Sequence, residues 1–348
     1  MSEILREPLQ HRNVWHGDEI TSRDDWQFTL RDEQIVQLNS AMHKADGERV
    51  SYDDVSADSF ELDTLRDTID AVNDVLEDGS GFALVKGFPV DGHEDALRKV
   101  YRGICSNWGS LIVQDTQGTI IDEVYDRGLS YTDIKVRGYT TNAQLTPHCD
   151  SGDMLALLCV RPALEGGLNY LSNALAIYND ILEHKPEYIE PLCEGFHYNI
   201  RGNGPEGPWR DMTEHRVPVF SYHEGRLSVR FNEKAILTAE QLPGVAPLSE
   251  LEKSAVKYVA ELANDPRFHI PVMLEEGDML LMCNHVVLHT RTGFTDHEDV
   301  AMRRFLFRAW INVPNGRPLT HEFADHYNTG PRQGPDASVA LAQKAQAG

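Results

Sequence analysis

The run Thr146-Pro147-His148-Cys149-Asp150 places an imidazole and a carboxylate two residues apart. An extended chain alternates its side chains between two faces, so His148 and Asp150 point one way and Cys149 the other. Such a pair can grip one side of a metal ion but needs a third donor from elsewhere. The best candidate is His289, in Asn284-His285-Val286-Val287-Leu288-His289-Thr290-Arg291. His285 is a rival, because four residues along an extended piece brings it to the same face; a histidine there more often supports a site or packs in a core. Two histidines and one carboxylate, with the opposite coordination positions open, is the donor set of non-haem Fe(II) oxygenases. Taken alone, H-x-D is a common tripeptide and more often a polar loop.

A second stretch changes that balance. Arg303-Arg304-Phe305-Leu306-Phe307-Arg308-Ala309-Trp310 reads as a strand. One face carries Arg303, Phe305, Phe307 and Ala309, and its phenylalanines must pack against apolar surroundings. The other carries Arg304, Leu306, Arg308 and Trp310, with two guanidiniums about 13 Å apart at a rise of about 3.3 Å per residue. A buried arginine needs an anionic partner, and its planar fork suits a carboxylate. Arg304 and Arg308 therefore read as anchors for small carboxylates beside the metal.

The remaining pattern supplies elements to position these groups. Trp26, Phe28 and Leu30 alternate as in a half-buried strand, and a helical pattern follows Asp32. Residues 43–59 read as a loop. Residues 61–77 read as an amphipathic helix, 82–85 as a buried strand and 94–107 as another helix. Residues 113–147 are irregular and polar, which suits a pocket wall or a surface loop equally. Met154 to Val160 is a continuous apolar run, as expected of a strand covered on both faces. After the turn at Gly166-Gly167 a strand begins at Leu168, Ser172 reads as an N-cap, and a helix follows over 173–184. Residues 201–216, rich in Gly and Pro and carrying Trp209, suggest a mobile lid. A hairpin turns at Glu224-Gly225, a helix covers 251–262, and strands cover 272–274, 279–282 and 303–313. Residues 329–348 read as a flexible tail. The reading is one mostly β domain over 1–328, flanked by helices, with its core at about 80–320.

Composition narrows the partners. A formal charge of −23 argues against nucleic acid and anionic membrane. No apolar run reaches the ~20 residues of a membrane span, and no basic and apolar leader opens the chain. Five cysteines without a C-x-x-C pair suggest reduced thiols in a cytoplasm. Arg137 and Arg210 hint, with Arg308, at an acidic substrate, while Trp209, Tyr131 and Tyr139 suit a larger and more apolar one.

The ordered set of His148-x-Asp150, Gly166-Gly167 with a polar residue after it, Leu288-His289-Thr290-Arg291, and Arg304 with Arg308 four residues on resembles the TauD/TfdA family of Fe(II)- and 2-oxoglutarate-dependent dioxygenases. The likeness spans about residues 80–320. It implies a double-stranded β-helix (jelly roll, clavaminate synthase-like), with His148, Asp150 and His289 binding Fe(II) and Arg304 pairing with the distal carboxylate of 2-oxoglutarate. Arg308 falls where relatives hold either that co-substrate or an acidic group of the primary substrate. Asn169 falls where relatives have Thr or Ser donating to the same distal carboxylate, a departure in this chain. Asn142, Tyr139 and Trp209 are candidates to touch substrate. The implied reaction consumes O2, releases succinate and CO2, and hydroxylates an unactivated C–H bond of a small metabolite. Because Asp150 is retained, hydroxylation is favoured over halogenation. Dimers or tetramers are the family expectation. The alternative for the same residues is a zinc-dependent or non-catalytic β-barrel that binds a small carboxylate.

Overall fold

A computed structural model of the chain describes residues 3–47, 50–60 and 62–347. Two sheets form its frame. The larger runs in the order Gln27–Thr29, Phe82–Lys86, Met279–Cys283, Met154–Arg161, Phe305–Asn312, Ser110–Leu111, with Ile121–Val124 also pairing to Phe305–Asn312. Its central strands are buried nearly end to end, which is why they read as unbroken apolar runs. The smaller sheet runs His269–Val272, Asn169–Asn173, Val287–Arg291, all antiparallel. Isolated bridges from His148 to His289 and to Asn232 add one more extended segment to its edge. Two facing sheets of this kind, with helices outside, make the jelly roll expected from the resemblance.

The helices form where amphipathic spacing meets good caps. Arg66–Asp78 buries Ile69, Val72 and Leu76 on one stripe. Glu250–Ala263 opens with a capping box, the Ser249 hydroxyl receiving the Glu252 N–H while the Glu252 carboxylate accepts from the Ser249 N–H. One apolar core, from Trp15 to Tyr327 in sequence, joins the early helices to both sheets.

Several boundaries differ from expectation. The helix after Asp32 continues through Gly47, because Ala41, Met42 and Ala45 keep its buried stripe going. The cap of Ala174–His184 is Asn173, whose side chain accepts the Ala176 N–H; the Ser172 hydroxyl is already donated to Ala263 O. The strand expected at 272–274 lies earlier, at His269–Val272. Residues 201–216 are pinned by backbone and side-chain bonds, among them Asn328 Nδ2 to the carbonyls of Trp209 and Met212. The stretch after residue 328 is tied down as well. Arg332 pairs with buried Asp153, the Asp336 N–H bonds Asn203 O, and a helix covers Ser338–Ala347.

Candidate active site

A cleft with about 1140 Å³ of atom-free space, partly open to solvent, lies between the sheets. The larger sheet supplies Leu155, Leu157, Arg308 and Trp310 to it, and the smaller sheet Asn169, His289 and Arg291. Strand parity explains the second set. Val287–Arg291 pairs with Asn169–Asn173 so that His289 faces Leu171 and Arg291 faces Asn169. Alternate residues share a face, so His289, Arg291 and Asn169 all point inward.

His148 and His289 exchange both backbone hydrogen bonds, at 3.0 and 2.7 Å. This cross-strand pair sets their rings 4.3 Å apart. One donor atom from each of His148, Asp150 and His289 lies within 4.8 Å of the others, and among the described residues no other His/Cys/Asp/Glu group is clustered in this way.

Two of the three donors are oriented from behind; the His289 Nδ1 has no hydrogen-bond partner among the described residues. The His148 Nδ1 lies 2.8 Å from Thr146 O. A carbonyl only accepts, so Nδ1 carries the proton and Nε2 keeps its lone pair. For Asp150, Oδ2 accepts from Trp310 Nε1 at 2.9 Å and faces Arg308 Nη1 at 3.4 Å, while Oδ1 has no protein donor among the described residues. The Asp150 N–H donates to Asn284 Oδ1, and Asn284 Nδ2 donates to Gly152 O, which clamps the turn.

Electrostatics prepare the trio for a cation. Burial pushes the His148 imidazole below its ordinary pKa and takes His289 down to about 3, the latter helped by His148. Both are neutral bases at pH 7. Burial alone would raise Asp150, but Arg308, the neighbouring histidines and the Trp310 hydrogen bond together outweigh it and hold the carboxyl below the usual carboxylate range. Two neutral imidazoles and an ionised carboxylate with a free oxygen fit a divalent ion.

The two expected arginine anchors differ. Arg304 is almost wholly buried, its Nη1 has no partner, and its guanidinium stacks on Phe294 at 5.0 Å. Burial brings its pKa down to about 10. Gly166 and Gly167 beside it sit at φ +78° and +75°, a backbone that favours glycine, and a Cβ on Gly166 would come within 2.3 Å of Gly293 O. Arg308 is instead ion-paired. Its Nε donates to Gln114 Oε1 at 2.8 Å and its Nη2 to Asp122 Oδ2 at 3.0 Å, beside the Asp150 contact, with Tyr139 stacked on it at 4.1 Å. Burial disfavours its charge, but Asp150 and Asp122 more than restore it. Three of its five N–H donors are taken by protein partners, two of those partners being carboxylates.

Other expectations divide similarly. Asn169 lines the cleft and gives one amide hydrogen to Val272 O at 3.2 Å. Tyr131, Arg137 and Tyr139 line it, so residues 113–147 form wall. Asn142 does not; its side chain is exposed and its carbonyl accepts the Phe294 N–H. Trp209 does not either; it is half-buried and its carbonyl accepts from Asn328 Nδ2. Arg210 is exposed and paired to Glu206. His285 is the rival histidine resolved against: its Nε2 bonds Asp153 Oδ1 at 2.8 Å, away from the trio. Arg201, Arg230, Arg291, His326 and Tyr327 line the cleft unforeseen. Arg291 was readable from its parity with His289; the others come from loops without periodicity.

The model of the taurine catabolism dioxygenase TauD, TfdA family matches residues 47–310. The chain belongs to the TauD/TfdA family. It is 30% identical over 334 residues to FR-33289 synthase of Streptomyces rubellomurinus, covering 94% of this chain and 96% of that one. It is 29% identical to a uridine-5'-phosphate dioxygenase of Amycolatopsis over 54% of this chain and 70% of the relative. Asparagine oxygenase, solved with Fe(II), 3-hydroxyasparagine and succinate, shares the fold at a TM-score of 0.64 and 16% identity, over 82% and 93% of the two chains. Membership in this family makes the chain an enzyme, an Fe(II)- and 2-oxoglutarate-dependent dioxygenase acting on a small molecule. Among the described residues no helix is long and apolar enough to cross a membrane.

Proposed function

We propose that His148, Asp150 and His289 hold the iron and Arg304 the distal carboxylate of 2-oxoglutarate, in a hydroxylase for a small acidic metabolite. The observation that carries this reading is the convergence of three metal-competent donors and a buried, partnerless guanidinium on one cleft. When bound, iron and 2-oxoglutarate together supply the oxidising power that places one atom of O2 in a C–H bond while 2-oxoglutarate becomes succinate and CO2.

The chain's own residues supply position and lining. Trp310 and Arg308 hold Oδ2 of Asp150, so Oδ1 is presented to the metal. Arg308 is thus a positioning residue for Asp150 rather than a ligand anchor. Arg304 offers a charged fork in a low-dielectric wall, where a carboxylate pairs strongly. Asn169 retains one amide hydrogen for the same carboxylate, in place of a hydroxyl. Leu155, Leu157, Tyr198 and Phe231 give the cleft part of its apolar lining.

Anaerobic addition of Fe(II) and then 2-oxoglutarate tests the assignment. A visible charge-transfer band is expected, lost in His148→Ala and Asp150→Ala. No band in the wild type, or one that both variants keep, would overturn it. The five cysteines, all free and buried, support a cytoplasmic enzyme. A homo-oligomer is proposed from the family, and sedimentation velocity checks it.

A further inference from the structure

Six arginines line the cleft: Arg137, Arg201, Arg230, Arg291, Arg304 and Arg308. Asp150 is the one carboxylate among the lining residues. The rest of the chain is strongly acidic, at −23 overall. Cations gathered in one cleft, against the charge of the whole molecule, favour an anion that supplies the counter-charge there.

The assigned roles use up only part of this charge. Arg308 is neutralised by Asp150 and Asp122. Arg304 serves the co-substrate in the reading above. Arg291 spends its Nε and Nη2 on the carbonyls of Thr292, Thr141 and Ala143. Arg137, Arg201 and Arg230 are left on the wall contributed by the loops. Arg137 donates to Gln114 O at 2.6 Å and Asn203 Oδ1 at 2.8 Å, both neutral. Arg201 donates only its Nε, to Ile134 O at 3.1 Å. Arg230 is 5% exposed, its Nε has no partner, and it stacks on Phe323. None of the three is in an ion pair among the described residues. Burial lowers the Arg201 pKa, and neighbouring Arg137 lowers it further; no carboxylate opposes them. Tyr131 and Tyr327 line the same wall, with their hydroxyls within reach of Thr146 and Ser151 beside the metal donors.

We infer that Arg201, with Arg137 and Arg230, forms a subsite for a tetrahedral dianion, a phosphonate or phosphate monoester, on the primary substrate. The inference rests on the dioxygenase reading and names its substrate class. A dianion matches two or more uncompensated guanidiniums, and its three oxygens suit several forks at once. A carboxylate or sulfonate carries half the charge. An amino acid fits worst, because its ammonium finds no acid in the cleft other than the metal carboxylate. The anion is thereby carried by loops 137 and 201 rather than by Arg308, whose charge is already matched by Asp122 and Asp150.

Calorimetry on the anaerobic Fe(II)·2-oxoglutarate enzyme tests this with n-propylphosphonate, n-propyl phosphate, propane-1-sulfonate, butanoate and L-norvaline. One or both phosphorus dianions should bind at least tenfold tighter than the other three, and the tighter of the two names the source. The phosphate ester should weaken as pH falls through about 6, where its second proton returns, while the sulfonate does not. Arg201→Gln should cost the dianion tenfold or more and leave both 2-oxoglutarate affinity and the visible band unchanged; Arg304→Gln should do the reverse. Sulfonate or butanoate binding as tightly as the dianions in the wild type overturns the inference, as does full dianion affinity in Arg201→Gln. Should that variant lose the band through misfolding, the wild-type series decides. Absence of the band in the wild type strikes the metal reading instead.

Discussion

Asp150 with His289 and Asp153 with His285 are the same residue types on the same two segments, offset by three and four positions. Their fates are opposite. Asp153 accepts from His285 Nε2 at Oδ1, and from the Val313 N–H and Arg332 at Oδ2. That cluster is closed, and it fastens the C-terminal segment to the loop behind the metal site. Asp150 keeps Oδ1 free, and its imidazole neighbours keep lone pairs that face a cleft. What separates a binding site from a structural ion pair is an acceptor left open beside space, not the residues themselves.

The comparison is most sharply tested by removing one member of each cluster. His289→Ala should lower succinate formation by more than about a hundredfold, beyond the range for merely supporting groups, with little loss of stability in the metal-free protein. Asp153→Ala should do the opposite. It leaves His285 Nε2 without a partner and Arg332 without a counter-charge, so urea unfolding should show about 3–5 kcal/mol lost while iron still binds. Equal stability loss in both variants would erase the distinction.

Trp310→Phe frees Oδ2 of Asp150, and iron affinity, followed by metal titration, should fall about ten- to a hundredfold. The pH response comes next. Burial lowers the pKa of His285, despite Asp153, and of His326, where Arg230 and Arg201 add to the effect. The unfolded chain then takes up protons first, so stability of the apo-protein is full above about pH 6.5 and declines as pH falls below it, by up to about 1.4 kcal/mol per histidine per unit. Urea midpoints at pH 5, 6, 7 and 8 check the sign. The smallest change is expected for Arg210→Ala. Its pair with Glu206 is exposed, so activity should hold and stability shift by no more than about 0.5 kcal/mol.

The sequence by itself determined the parts governed by local periodicity. The apolar runs at 154–160 and 279–282 could only be covered strands, and the alternation at 303–310 announced two inward arginines. The jelly roll followed from the resemblance, and the order of His148, Asp150, His289 and Arg304 named the chemistry. Tertiary structure alone decided which polar groups are spent. Arg304 and Arg308 look alike in the sequence, yet Arg308 meets Asp122, Asp150 and Gln114 from three distant segments, while Arg304 Nη1 meets no partner among the described residues. The loops holding Arg137 and Arg201, and the C-terminal segment holding Tyr327, have no period to betray their facing. Trp209 and Asn142, conspicuous in sequence, lie off the cleft for the same reason. Side-chain direction within a strand is fixed by the backbone's own alternation, whereas direction in a loop is fixed by partners far along the chain.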